Sequence, residues 1–125
     1  MCDIGYIDQI LTGLNVIGMI KEGQKVSVRN GLLNIDVRKR GVFNGIVRWL
    51  HNDNRYSTLS YIRNVVNNAI EIASKSPEHK EHIDDGLSKA VTGLSALSVT
   101  YTDDAAIAAS INVMKDRIES YRKKL

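Results

Sequence analysis

The sequence predicts a mainly α-helical protein, a compact bundle of four longer helices plus a short helix, with one β-hairpin near residues 25–37. Three observations lead to this class. Apolar residues recur at helical spacing over four long segments, and one short segment alternates polar and apolar residues around Asn30-Gly31. A length of 125 residues with 43% hydrophobic residues suits one domain with one core. We therefore expect a single domain over 1–125, with an N-terminal helix at 1–20, the hairpin at 25–37 and the helical bundle at 42–123.

The first segment is predicted to be a packed helix. Its apolar stripe consists of Ile7, Ile10, Leu11, Leu14 and Ile17. Asp3 and Asp8 stand where a signal peptide would carry positive charge, and the segment is too short and too polar to span a membrane. The single cysteine, Cys2, excludes a disulfide framework and fits a reducing compartment. We expect a cytoplasmic or intracellular protein that does not bind membranes.

The second segment has the pattern of a β-hairpin. Asn30-Gly31 lies between two alternating runs, and this pair favours a type I′ turn because both central residues adopt positive φ. A two-stranded hairpin is marginally stable alone, so its apolar face should pack on the helices. That face comprises Val26, Val28, Leu33, Ile35 and Val37.

Two helices are predicted after the hairpin. A short helix at about 42–51 carries a broad apolar face that includes Phe43 and Trp49. The next helix, at about 58–75, is expected to begin with Ser57 or Thr58 as its capping residue. Its apolar stripe consists of Leu59, Ile62, Val65, Val66, Ala69, Ile70 and Ala73.

The last two helices are predicted to form an antiparallel pair. Ser76-Pro77-Glu78 is typical of a capped helix start, and this helix should extend to about 99. Its two glycines, Gly86 and Gly93, lower helix propensity and indicate close packing of a neighbouring helix. The run 102–104 is expected to cap the last helix, at about 103–123. The predicted inward residues are Ile83, Leu87, Ala90, Val91, Leu94 and Leu97, followed by Ala105, Ala108, Ile111, Met114, Ile118 and Tyr121.

Positive charge is concentrated in the middle of the chain. Residues 21–63 contain nine Lys or Arg against three Asp or Glu, a formal charge of +6, whereas the whole protein carries +3. We predict a basic contact surface formed by Lys25, Arg29, Arg38, Lys39, Arg40, Arg48 and Arg55. Such a surface can meet an acidic protein or track a phosphate backbone, with Trp49 and Tyr56 available for stacking. Two simpler explanations are a charged edge that prevents strand pairing, and a Trp49 that belongs to the core.

No residue pattern indicates catalysis, a metal or a cofactor. His79 and His82 lie three residues apart beside acidic residues, a spacing that would suit a metal ion. Solvated side chains at the start of a capped helix are the stronger explanation. There is no nucleophile-elbow motif and no glycine-rich phosphate loop. We therefore expect a protein that is not an enzyme, without catalytic residues, metal ligands or cofactors.

The sequence also predicts self-association. The last two helices carry more apolar side chains than a two-helix hairpin can bury: Leu94, Leu97, Val99, Tyr101, Ile107, Ile111 and Met114. Most should face the other helices, and the remainder could form a two-fold interface, so a dimer is the expected oligomer. Small residues at 105–110 would allow a neighbouring helix to approach closely.

Three stretches carry a resemblance to a known class of proteins. They are VRWL at 47–50, NDNRYST at 52–58 and LSALSVTYTD at 94–103, together with Ile62. Over about residues 25–120 the chain resembles small helical proteins of unknown function from large DNA viruses. The resemblance implies a viral protein, in the virion or acting on host components, and it transfers no catalytic residue. The expected function is a non-enzymatic interaction or structural protein, with nucleic-acid binding as the alternative.

Overall fold

The computed structural model describes residues 4–29, 32–36 and 55–124. Its helices are α1 (Ile4–Gly18), α2 (Arg55–Lys75), α3 (Lys80–Thr100) and α4 (Ala105–Lys123), with a 3₁₀ turn at Pro77–His79. Strands β1 (Lys25–Arg29) and β2 (Leu32–Asp36) form an antiparallel pair. The prediction of four longer helices and a hairpin is therefore confirmed. The predicted short helix at 42–51, the turn at 30–31 and Val37 lie outside the described residues.

The predicted cap of α2 is wrong, because the helix begins at Arg55, ahead of both Ser57 and Thr58. Thr58 lies in the first turn and is fully buried. Its hydroxyl donates to the backbone carbonyl of Val26 at 3.4 Å instead of capping the helix. A buried hydroxyl needs a partner, and the hairpin supplies one from outside the helix.

The other two helix starts differ from each other. Ser76 makes no side-chain capping bond, and Pro77–His79 forms a 3₁₀ turn before α3 begins at Lys80, so the predicted serine cap is wrong. Asp104 caps α4 as expected, since its carboxylate accepts from the N–H groups of Ala106 and Ile107 at 3.1 and 3.2 Å. An N-terminal carboxylate also interacts favourably with the helix dipole.

Helices α1 and α3 lie in close contact and run in the same direction. Leu14 packs over Gly86, and a Cβ built on Gly93 would overlap the carbonyl oxygen of Ile17. Farther along, the N–H of Gly23 donates to Thr100 Oγ1 at 2.9 Å. The close packing predicted from the two glycines is confirmed, because only a hydrogen at position 93 leaves room for the α1 backbone.

All four helices and the hairpin contribute to one hydrophobic core. The stripes predicted for α1, α2 and α3 are buried in it, with Leu11, Ile70 and Val91 partly buried at its margin. On α4 the inward residues are Ile107, Ile111, Met114 and Ile118. Ala105 is exposed, contrary to expectation, because it precedes Ile107 by two residues and therefore lies on nearly the opposite side of the helix. Val26 is the buried residue of the hairpin, and Leu33 and Ile35 pack beside it.

Candidate functional site

The hairpin is fixed to one end of the helices. The carbonyl oxygen of Val26 accepts hydrogen bonds from the hydroxyls of Thr58 and Tyr101, each at 3.4 Å. Thr58 lies at the beginning of α2, and Tyr101 directly follows the end of α3. We call this region, with the adjoining end of α1, the hairpin end.

The structure describes part of the predicted basic surface. Arg38, Lys39, Arg40 and Arg48 lie outside the described residues. Lys25 and Arg29 are the first and last residues of β1, and Arg55 is the first residue of α2. The register sets Lys25 opposite Asp36 and Arg29 opposite Leu32. All three predicted cations therefore belong to elements of the hairpin end, with Lys25 and Arg29 at opposite ends of β1.

Exposed apolar side chains are concentrated at the same end. Six large hydrophobic residues are exposed in the described part of the chain, and four of them belong to elements that end or begin here. These four are Met19 (65% exposed), Leu32 (65%), Tyr56 (70%) and Val99 (50%). Tyr56 was predicted to be available for stacking, whereas nothing in the apolar periodicity pointed to Met19 or Leu32. Their exposure could have been predicted from their positions, because each lies at the boundary of an element rather than in its apolar stripe.

Most of the apolar residues that suggested self-association are buried in the protein's own core, as expected from the sequence. Leu94, Leu97, Tyr101, Ile107, Ile111 and Met114 are all buried, and Val99 alone of the predicted set is exposed. The outer face of α4 is a different surface. It exposes Ala106 and Ala109 together with Val113, which is 67% exposed, at spacings of three and four residues.

The two histidines do not form part of a larger ligand cluster. His79 Nε2 lies 3.8 Å from a carboxylate oxygen of Glu78, and His82 is exposed on the first turn of α3. Within residues 4–29, 32–36 and 55–124, no group of three or more His, Cys, Asp or Glu side chains could hold a metal ion.

A cavity of about 550 Å³ lies at the other end of the helices. The end of α2, the 3₁₀ turn, the first residue of α3 and the last turns of α4 line it. Its lining residues are Ile70, Ala73, Ser74, Pro77, Lys80, Arg117, Ser120, Tyr121 and Lys124, and we call it the cationic groove. Three of these residues are basic and none is acidic.

Two carboxylates near the cationic groove form ion pairs with basic residues that do not line it. Arg122 Nε donates to Asp84 Oδ1 at 3.0 Å, which links α4 to α3. Lys75 Nζ lies 2.9 Å from Glu71 Oε1 on α2, and this hydrogen bond and charge lower the pKa of Glu71. Both pairs are substantially exposed, so each contributes little to stability.

Tyr121 is the unusual residue of the cationic groove. Its hydroxyl is shielded from solvent and makes no hydrogen bond within the described structure. Burial, and secondarily the negative charge of Asp84, raises the pKa of Tyr121. The hydroxyl therefore stays protonated at neutral pH and is a donor without an acceptor.

Sequence reasoning missed the cationic groove. Its cations come from positions 80, 117 and 124, and the acidic residues between them hide this positive charge when charge is summed along the chain. A signal was present on α4, where Arg117, Tyr121 and Lys124 recur at helical spacing on one face. Lys80 could not be added from the sequence, because its distance from α4 depends on helix packing.

Comparisons with protein-family models, with curated proteins and with solved structures find no match to this chain. None of the helices in the described part is long and apolar enough to cross a membrane.

Proposed function

We propose that the chain is a non-enzymatic interaction protein, a compact helical bundle that binds an acidic partner protein through its hairpin end. The contact surface comprises the basic residues Lys25, Arg29, Arg38, Lys39, Arg40, Arg48 and Arg55. The exposure of Met19, Leu32, Tyr56 and Val99 at the end where three of these residues lie carries the proposal.

The combination of charge and exposed apolar area favours a protein partner. Aromatic residues, Met and Arg are enriched in protein interfaces, where burial of apolar area supplies affinity and charge directs the encounter. A phosphate backbone offers cations an acceptor but gives Leu32 and Val99 no apolar counterpart. Nucleic-acid binding is the second candidate, and the formal charge of +6 over residues 21–63 supports it.

Self-association is the second part of the proposal. The basic hairpin ends of two copies would repel each other. A two-fold dimer should therefore form through another surface. The outer face of α4 offers Ala106, Ala109 and Val113, whose small side chains allow a second copy of α4 to approach closely.

The test of the basic surface uses a fluorescently labelled peptide that contains Glu together with Leu and Phe. Replacement of Arg38, Lys39 and Arg40 by Ala should weaken binding by about tenfold or more, because three charges leave the contact surface. The matched control replaces Lys75, Lys89 and Lys123 by Ala, which removes the same charge from exposed positions elsewhere. Equal losses in the two variants would mean that net charge, rather than this surface, binds the peptide.

The apolar contribution is tested with Tyr56→Ser. This change should weaken binding of the mixed peptide but not of a matched peptide in which Ser replaces Leu and Phe. Tyr6→Ser is the control, since Tyr6 is also exposed but lies in the first turn of α1, at the far end. If Tyr56→Ser and Tyr6→Ser behave alike, the hairpin end is not the apolar contact.

A further inference from the structure

We propose that the cationic groove binds a small anionic ligand, a phosphate group joined to an apolar body. Its volume of about 550 Å³ suits a small molecule. Ile70, Ala73 and Pro77 give it an apolar lining, and Lys80, Arg117 and Lys124 surround that lining with positive charge. Both halves of the ligand are thus matched within one cavity.

No carboxylate among the described residues pairs with the cations of the cationic groove. In the described structure Lys80, Arg117 and Lys124 take part in no ion pair. The nearby carboxylates of Glu71 and Asp84 are engaged by Lys75 and Arg122. Three cations therefore line the cavity with no counter-charge from the part of the chain that the structure describes, which suits a phosphate dianion better than a single carboxylate.

Arg117 and the hydroxyl of Ser120 favour a phosphate ligand. A guanidinium can bind two phosphate oxygens at once, whereas the lysines add compact point charges. Ser120 contributes an exposed hydroxyl on the last turns of α4. The hydroxyl of Ser74 donates to the carbonyl of Ile70 at 2.8 Å, so its oxygen remains an acceptor rather than an anion donor.

Tyr121 supplies an independent observation. Its shielded hydroxyl has no acceptor among the described residues, and a shielded donor without an acceptor is unfavourable. A ligand oxygen at the edge of the cationic groove would supply that acceptor after a small rotation of the side chain. The residue then contributes a hydrogen bond on one side and an aromatic surface for the apolar body on the other.

The cationic groove is separate from the hairpin end. Thr58 and Ser74 mark the two regions on α2 and are 16 residues apart, or about 24 Å along the helix. The inference therefore goes beyond the proposed function, and either can fail without the other.

The test is a titration of the full-length, ¹⁵N-labelled protein with phenyl phosphate, followed by amide NMR shifts. We expect saturable shifts confined to the ends of α2 and α4 and the start of α3, with a Kd below about 10 mM for so small a probe. Inorganic phosphate should bind more weakly, because it lacks the apolar body. No saturation in this range, or shifts spread over the whole surface, would overturn the proposal.

Variants identify the residues responsible. Replacement of Lys80, Arg117 and Lys124 by Ala should weaken phenyl phosphate binding by about tenfold or more, whereas the matched triple change at Lys21, Arg63 and Lys89, which are exposed and do not line the groove, should leave it nearly unchanged. Ser120→Glu, which keeps all three cations, should also abolish binding by placing a carboxylate in the cationic groove. Equal affinity in the groove and control triple variants, or unchanged affinity in Ser120→Glu, would contradict the assignment.

Discussion

At the scale of single residues, two tyrosine hydroxyls in the core region have opposite surroundings. The hydroxyl of Tyr101 donates to the carbonyl of Val26 and so connects α3 to the hairpin. The hydroxyl of Tyr121 has no partner among the described residues. A partnered hydroxyl stabilises the fold modestly, whereas a shielded hydroxyl without a partner destabilises it. The same chemical group is thus expected to have opposite effects on folding.

The prediction at this scale compares Tyr101→Phe with Tyr121→Phe. Loss of the Tyr101 hydroxyl should lower the free energy of unfolding by about 1 kcal/mol, and loss of the Tyr121 hydroxyl should leave it unchanged or raise it. Urea denaturation followed by circular dichroism measures both. Each variant removes one oxygen from a tyrosine, so each is the control for the other, and a larger loss in Tyr121→Phe would show that its hydroxyl has a partner in solution.

At the scale of elements, the sequence correctly predicted the features that depend on residues close together along the chain. The stripes of α1 and α2 repeat every three or four residues, and this local periodicity identified both helices. The cap at Asp104 was also local and correct. The caps assigned near residues 57 and 76 failed, since Thr58 hydrogen-bonds to a strand distant in sequence and Ser76 precedes a 3₁₀ turn.

The packing of α1 against α3 gives the prediction for this scale. Gly93→Ala should destabilise the protein by about 3 kcal/mol, because the added methyl would overlap the α1 backbone at Ile17. In an exposed helix the same change stabilises by up to about 1 kcal/mol, so the sign itself is informative. Thermal and urea unfolding provide the measurement. The neighbouring exposed residue supplies the control, Thr92→Ala, which should change stability by less than about 0.5 kcal/mol.

At the scale of the whole molecule, the two proposed binding surfaces lie at opposite ends of the helices. The positive charge of residues 21–63 could be recognised from the sequence, since these charged residues are close together along the chain. The cationic groove could not be recognised from the sequence, because Lys80 and Arg117 are 37 residues apart and line one cavity only through the packing of α2, α3 and α4. The resemblance to helical proteins of large DNA viruses, and the location it implies, stay predictions.

Self-association is a prediction about the whole molecule. Sedimentation equilibrium should detect a dimer, and Val113→Glu should raise its Kd by about tenfold or more, because a charge replaces an exposed apolar side chain on the proposed contact. Asn64→Glu introduces the same charge at an exposed position on a different helix, α2, and should have little effect. A wild-type protein that remains monomeric at about 100 µM would contradict this part of the proposal.

The central claim is that the hairpin end binds an acidic protein. Its most direct test compares the unmodified protein's affinity for the mixed Glu, Leu and Phe peptide with its affinity for labelled duplex and single-stranded DNA, at low and at physiological salt. We expect the peptide to remain bound at physiological salt, because buried apolar contacts are not screened, and DNA binding to fall steeply. DNA binding with a Kd below about 1 µM at physiological salt, combined with loss of peptide binding, would contradict the claim and identify a nucleic-acid-binding protein.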